Sequence, residues 1–170
     1  MKKWFSIIAI LALLPLFTWS QVKIGIIDPQ KVISDSFRGK EVRQKLESIG
    51  ESKQKAIESL EREIRSLESE INTKRMTWNQ ETLERRMSEV QLKQTQHKRM
   101  LEDAQNDFQR EYQKEMMQLQ KELMPIIEDF GKTHGYTVIL DLSTAGISFF
   151  SAGIDITDEI IKNYDSKYKK

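Results

Sequence analysis

The chain contains no cysteine. Disulfides and thiolate metal sites are therefore excluded, as is lipid attachment at a cleavage-site cysteine. Proline is nearly as scarce, with three in 170 residues, and none falls between residues 40 and 124. Of the seven glycines, only Gly50 lies in that stretch. It is rich in Glu, Lys, Arg and Gln, and such a segment continues as helix because nothing stops it. A charge excess is also missing. With 27 basic and 26 acidic residues the net charge is +1, so no global positive field recruits nucleic acid. The one uncharged apolar run, residues 4–17, is shorter than the ~20 residues that span a bilayer, and Pro15 lies inside it.

That run has a different meaning. Lys2 and Lys3 precede it, and Thr18 and Ser20 place small residues before Gln21. The pattern predicts a secretory signal peptide over residues 1–20, cleaved near Ser20. Removing Lys2 and Lys3 from the 27 basic residues leaves 25 against 26 acidic ones, a mature charge of −1. Export without disulfides suits a bacterial periplasm.

Residues 40–124 carry apolar side chains at coiled-coil spacing. Val42, Leu46, Ile49, Ile57, Leu60, Ile64, Leu67 and Ile71 step mostly by four and three. The rhythm returns at Leu83, Met87 and Val90, at Leu101, Ala104 and Phe108, and at Met116, Leu119 and Leu123. One straight helix of this length would reach ~130 Å with its seam unpartnered. A hairpin of two packed helices is expected instead, with its tip at residues 73–80, where the apolar pattern lapses and Asn79 is placed to cap the returning helix. Two stutters, through Lys53 and through Tyr112, interrupt the seam, and Gln94 and His97 occupy seam positions. These irregularities are ordinary coiled-coil defects, or they allow the arm to flex.

The flanks read as a small body, residues 21–39 plus 125–170. Residues 22–28 predict a strand, and Asp28-Pro29 starts a short helix. The arm helix is expected to run past Pro125 to about Lys132. A glycine-flanked turn leads to a strand over residues 136–141, a turn over 143–146 and a third short strand over 147–150. The last helix starts around Thr157, with Ile156 and Ile161 at the spacing of a hydrophobic staple, and residues 162–170 are expected to fray. A body of about 65 residues is near the limit for an independent core. An obligate oligomer with strands from several chains in one core is therefore expected. The fold class is α+β: a small β-sheet or barrel body shared between subunits, with one long helical hairpin per chain.

Charge is unevenly spread along the arm. Residues 72–99 hold seven basic side chains and three acidic ones, and residues 100–124 hold three and six. The tip is basic and the returning helix acidic. Lys74, Arg75, Met76, Trp78, Arg85 and Arg86 are the candidate contacts for a partner, because methionine and tryptophan adapt to varied apolar surfaces and the cations attract acidic segments or anionic lipid headgroups. A solvated coiled-coil face is the plainer account of the same residues. No catalytic, metal or cofactor site is expected. Asp28 and Asp141 read as cap and strand-end residues, Ser143, Ser148 and Ser151 sit in no nucleophile motif, His97 and His134 have no completing cluster, and no phosphate-binding glycine loop occurs.

The chain resembles the Skp/OmpH family of periplasmic chaperones. The likeness rests on Ile26-Ile27-Asp28-Pro29-Gln30-Lys31-Val32, Gly39-Lys40, Tyr136-Thr137-Val138-Ile139-Leu140-Asp141 and Asp155-Ile156-Thr157-Asp158-Glu159-Ile160, in that order around an arm of this length. The resemblance implies a homotrimer: a small β-barrel body with three helical tentacles around a cavity. It also implies an ATP-independent holdase for unfolded outer-membrane proteins, without nucleotide, cofactor or nucleic acid. The near-neutral charge departs from the basic character of the family. The rival reading is a structural envelope coiled coil, a spacer or tether, and a third is a basic-tip module for lipid or nucleic acid.

Overall fold

The computed structural model describes residues 22–168; the predicted signal peptide lies outside them. The elements are β1 (Ile24–Ile27), α1 (Pro29–Asp35), α2 (Phe37–Lys74), α3 (Gln80–Thr133), β2 (Val138–Asp141) and α4 (Thr157–Tyr168). The architecture is α+β, dominated by the α2–α3 hairpin. At ~1.5 Å per residue, the 38 residues of α2 and 54 of α3 span about 57 and 81 Å. The extra length of α3 runs through Pro125 into the body.

Each boundary has a local cause. The Asp28 side chain accepts from the backbone N–H of Gln30 and Lys31, with Pro29 at the first helical position. Ser36 is extended (φ −65°, ψ 155°), ends α1 and caps α2 by accepting from the Gly39 N–H. Arg75 ends α2, and Asn79 caps α3 by accepting from the Thr82 N–H at 2.9 Å. At the far end of α3, Gly135 takes φ +68°. The Tyr136 N–H then reaches back to the Gly131 carbonyl at 2.9 Å, closing a Schellman turn.

The sheet has two parallel strands, registered Ile24 to Val138 through Ile27 to Asp141. On the other side of β1, Ile26 bridges Asp155. Thus β1 is central and buried from Gly25 to Ile27, while β2 is an edge with no fully buried residue. The third strand predicted over residues 147–150 does not form: those residues carry no regular structure. A strand needs a partner for its backbone groups, and this chain's sheet gives the segment none.

Two other expectations are corrected. Thr157 does not cap α4. Its own N–H donates to Asp155 Oδ1 at 2.9 Å, so the capping carboxylate is one residue earlier than Ile156. The Thr157 hydroxyl instead accepts from the Asp28 N–H at 3.0 Å, joining the two helix starts. The tail expected to fray from Lys162 is helical as far as Tyr168, with Tyr164 fully buried and its ring tilted at 59° against that of Tyr168. Lys169 and Lys170 lie outside the described residues.

The body core gathers Ile27, Val32, Val42, Leu46, Leu119, Leu123, Ile126, Phe130, Ile156, Ile160 and Tyr164. Each fully buried aliphatic side chain contributes roughly 1.5–3 kcal/mol. A separate cluster of Leu60, Ile64 and Val90, with Leu67, Ile71 and Met100 against it, holds the outer arm. The α2 seam is therefore as predicted at Val42, Leu46, Ile57, Leu60 and Ile64. On α3, Met87, Leu101 and Phe108 are exposed instead of seamed. A helix drifts ~20° per heptad against a 3.5-residue repeat, and opposite Phe108 α2 offers Gly50 and Lys53 rather than apolar partners.

Candidate binding surface of the arm

At the tip, the six predicted residues are brought into one turn and its flanking helix ends, but not in equal states. The Trp78 ring is half-buried, with the Lys74 ammonium and the Arg86 guanidinium each 6.0 Å from its centroid. Lys74 bonds Glu70 at 2.9 Å and Arg86 bonds Glu89 at 3.0 Å. These three side chains staple the turn. Arg75, Met76 and Arg85 are exposed, and neither arginine has an ion-pair partner among the described residues. Met76 is 88% exposed. Of the six, Arg75, Met76 and Arg85 are thus the side chains left unengaged.

Below the tip the two helices are joined by polar pairs. Gln94 donates to Glu68 at 2.9 Å, Lys93 to Glu63 at 2.7 Å, and the His97 ring meets Glu61 at 3.0 Å. Further down, Lys53 donates to Asp107 at 2.7 Å, and Lys45 reaches Glu111 and Glu115, the latter at 2.6 Å. The hydrogen bond from Lys53, then that from Arg110, holds the Asp107 carboxyl below its ordinary value, and Lys45 does the same to Glu111. Solvent and salt screen partly exposed pairs of this kind, so they set register more than they stabilise. Gln94 and His97, read as seam defects, are part of this ladder.

Between the outer cluster and the body core lies an apolar groove of about 500 Å³, lined chiefly by Ile33, Val42, Leu46, Phe108, Tyr112 and Met116. Gly50 helps to keep it open, since a Cβ there would meet nothing within 4 Å. The stutters at Lys53 and Tyr112 mark its position in the sequence. Its arm residues Val42, Leu46, Phe108 and Met116 have seam spacing, and only the exposure of Phe108 and Tyr112 reveals a surface.

At the arm's root a polar cluster gathers around a buried carboxylate. Glu122 is buried; its Oε2 accepts from the Tyr164 hydroxyl at 2.7 Å and lies 3.4 Å from Arg38 Nε, and its Oε1 accepts from Gln118 at 3.0 Å. Burial alone would push the Glu122 carboxyl up, but Gln118, Tyr164 and Arg38 together outweigh it and hold it below its ordinary value. Its contribution is therefore present above the ordinary carboxylate range and is lost as pH falls through the depressed value. Burial, then the bond to Glu122, pushes the Tyr164 phenol well up, so it remains a donor.

Acid–base chemistry finds no constellation here. Asp28 is occupied as a cap, and Asp141 accepts from the N–H and hydroxyl of Ser143. Among the described residues no three His, Asp or Glu side chains are grouped to hold a metal, and no helix is long and apolar enough to cross a membrane.

The family model for outer membrane proteins of the OmpH-like type matches residues 23–164. No curated protein sequence matches the chain. Among solved structures, the chain is similar to the 2.83 Å crystal structure of an OmpH-like protein from Caulobacter crescentus CB15, assigned there as an outer membrane chaperone. The TM-score is 0.81 with 20% identity, over 88% of this chain and 87% of that one. At that identity the likeness is one of fold.

Proposed function

This chain belongs to the OmpH-like outer membrane protein family, and from that premise we propose that it is an ATP-independent holding chaperone of the periplasm. It keeps unfolded outer-membrane proteins soluble between the arms of a homotrimer. The observation that carries this reading is the arm itself. It is a long hairpin whose apolar groove, walled by Phe108 and Tyr112, remains unpacked, with Leu101, Met117 and Met124 exposed elsewhere on the arm amid charged side chains. Scattered apolar contacts of this kind suit an unfolded partner, because they demand no fixed geometry. The trimer is supported by the open β2 edge and by residues 147–150, a strand pattern without a partner in its own chain, with Phe149 88% exposed. Pairing that segment with the β2 edge of a neighbour satisfies both.

Size-exclusion chromatography with light scattering on the chain from Gln21, alone and after dilution into it of a urea-unfolded outer-membrane β-barrel, tests the proposal. A trimer that carries the barrel in a soluble complex without nucleotide is the expected result. A trimer that leaves it to aggregate supports the spacer or tether instead, and a monomer removes the shared body.

The tip serves a second partner in this reading, anionic lipid headgroups, through Arg75 and Arg85. Each basic residue near an anionic surface contributes about 1 kcal/mol. Replacing both with Gln is expected to weaken binding to phosphatidylglycerol vesicles about 30-fold, measured by vesicle co-sedimentation at low salt. Equal binding by parent and variant removes the tip from lipid contact.

A further inference from the structure

Both arm helices have a weak backbone point at the same level. Ser36 is an extended residue between α1 and α2. Pro125 lies inside α3, where it lacks the N–H that would bond the Lys121 carbonyl. Arg38, two residues beyond Ser36, meets Glu122, three residues before Pro125. The same antiparallel register brings Lys45 to Glu115 and Lys53 to Asp107. The two breaks therefore face each other across the hairpin, at the junction with the body.

A directional bridge crosses that junction. The body helix α4 sends Tyr164 to Glu122 on α3, at 2.7 Å, and its next residue, Asp165, accepts from the Phe37 N–H that opens α2, also at 2.7 Å. Arg38 and Gln118 hold the remaining capacity of Glu122. The apolar contacts on the arm side of that level, Val42, Leu46, Leu119 and Leu123 in the body core, are non-directional and permit small rotations. Buried hydrogen bonds lose strength steeply with angle and distance, and an unpaired buried carboxylate is costly.

We propose that the arm pivots as a rigid unit at the Ser36–Pro125 level, and that α4 sets its angle through Tyr164 and Asp165, with Glu122 as the positioning residue. The last helix of the chain is thus a lock on arm orientation, and hence on the width of any space the arms enclose. Its functional consequence rests on the holding reading; its geometry does not, and the experiment reads distance alone.

The absence of cysteine allows clean spin labelling of the full assembly. One label pair at Met76→Cys and Thr144→Cys spans the pivot, and a second at Met76→Cys and Met117→Cys lies within the arm. Labelled chains diluted into unlabelled ones report intrachain distances. In Glu122→Gln/Tyr164→Phe, the width of the pivot-spanning distribution is expected at least to double while the within-arm width stays unchanged. Pro125→Ala, which restores the missing N–H and needs no buried group removed, is expected to narrow the pivot-spanning width below that of the parent. An unchanged pivot-spanning width in both variants overturns the proposal. So does broadening confined to the within-arm pair, which places bending in the arm instead of its root.

Discussion

Gly39→Ala is expected to destroy the cooperative fold of the body. A Cβ at Gly39 would lie 1.5 Å from the Ile33 carbonyl oxygen and 2.6 Å from its carbon, and neither atom can swing away because both are backbone of α1. Relief requires α1 to leave α2, which separates Val32 and Ile33 from Val42 and breaks the Ser36 cap. The cost is expected to exceed about 4 kcal/mol, at the diagnostic end of single substitutions. In a chain of this size that lowers the melting midpoint by roughly 8–16 °C or removes the transition. Gly50→Ala is the control of opposite sign. Its Cβ enters open space in a helix interior, and the substitution is expected to add about 0.5–1 kcal/mol. Circular dichroism melts of the two variants decide the matter. A Gly39→Ala midpoint within 2 °C of the parent, on the order of the shift from 1 kcal/mol or less, means that the α1–α2 contact is not as described.

Removing the outer arm is expected to cripple client holding, because the groove left at its root no longer lies within an enclosure, and to leave the body intact. Lys53 and Asp107 face each other at 2.7 Å, so replacing residues 54–106 with a four-residue Gly/Ser loop closes the hairpin in register. The deletion takes away the outer cluster of Leu60, Ile64 and Val90 and the basic tip, while the body core is untouched. Because the two clusters are separate, the truncated chain is expected to assemble and melt like the parent. An unfolded outer-membrane barrel diluted into it is then expected to aggregate much faster than with the parent, slowed only by the groove that remains, followed by light scattering. Full protection by the truncated chain places the grip in the body or in the groove at the arm's root, and refutes the enclosing arms.

The long hairpin was legible because its signals are local. Breakers are missing over residues 40–124, and Asn79 marks the return. The same holds for β1, β2 and the Asp28-Pro29 start, where capping and strand patterns act within a few residues. The third strand was misread for a reason of the same kind. Residues 147–150 have strand composition, but a strand is a pairing, and composition does not say whether a partner stands beside it. At the tip, the six candidate residues were found by charge and residue type. Their division into Lys74, Trp78 and Arg86 engaged with one another and Arg75, Met76 and Arg85 free depends on side-chain distances that spacing does not carry.

By itself the sequence determined the class and the outline: two long helices returning on each other from a small β-containing body, no thiol chemistry, and an uneven charge along the arm. These follow from propensities and periodicities that each residue expresses in its own neighbourhood. Only the tertiary structure decided what α4 does. Its polar, lysine-rich tail reads as a fraying end, yet Tyr164 is buried and bonded to Glu122, 42 residues away, and Asp165 accepts from the first N–H of a helix that begins 128 residues earlier. The exposed groove at Phe108 and Tyr112 was decided in the same way, by what stands opposite them across the hairpin. A side chain's burial is a property of the pair of surfaces that meet, and which surfaces meet is set by the path of the whole chain.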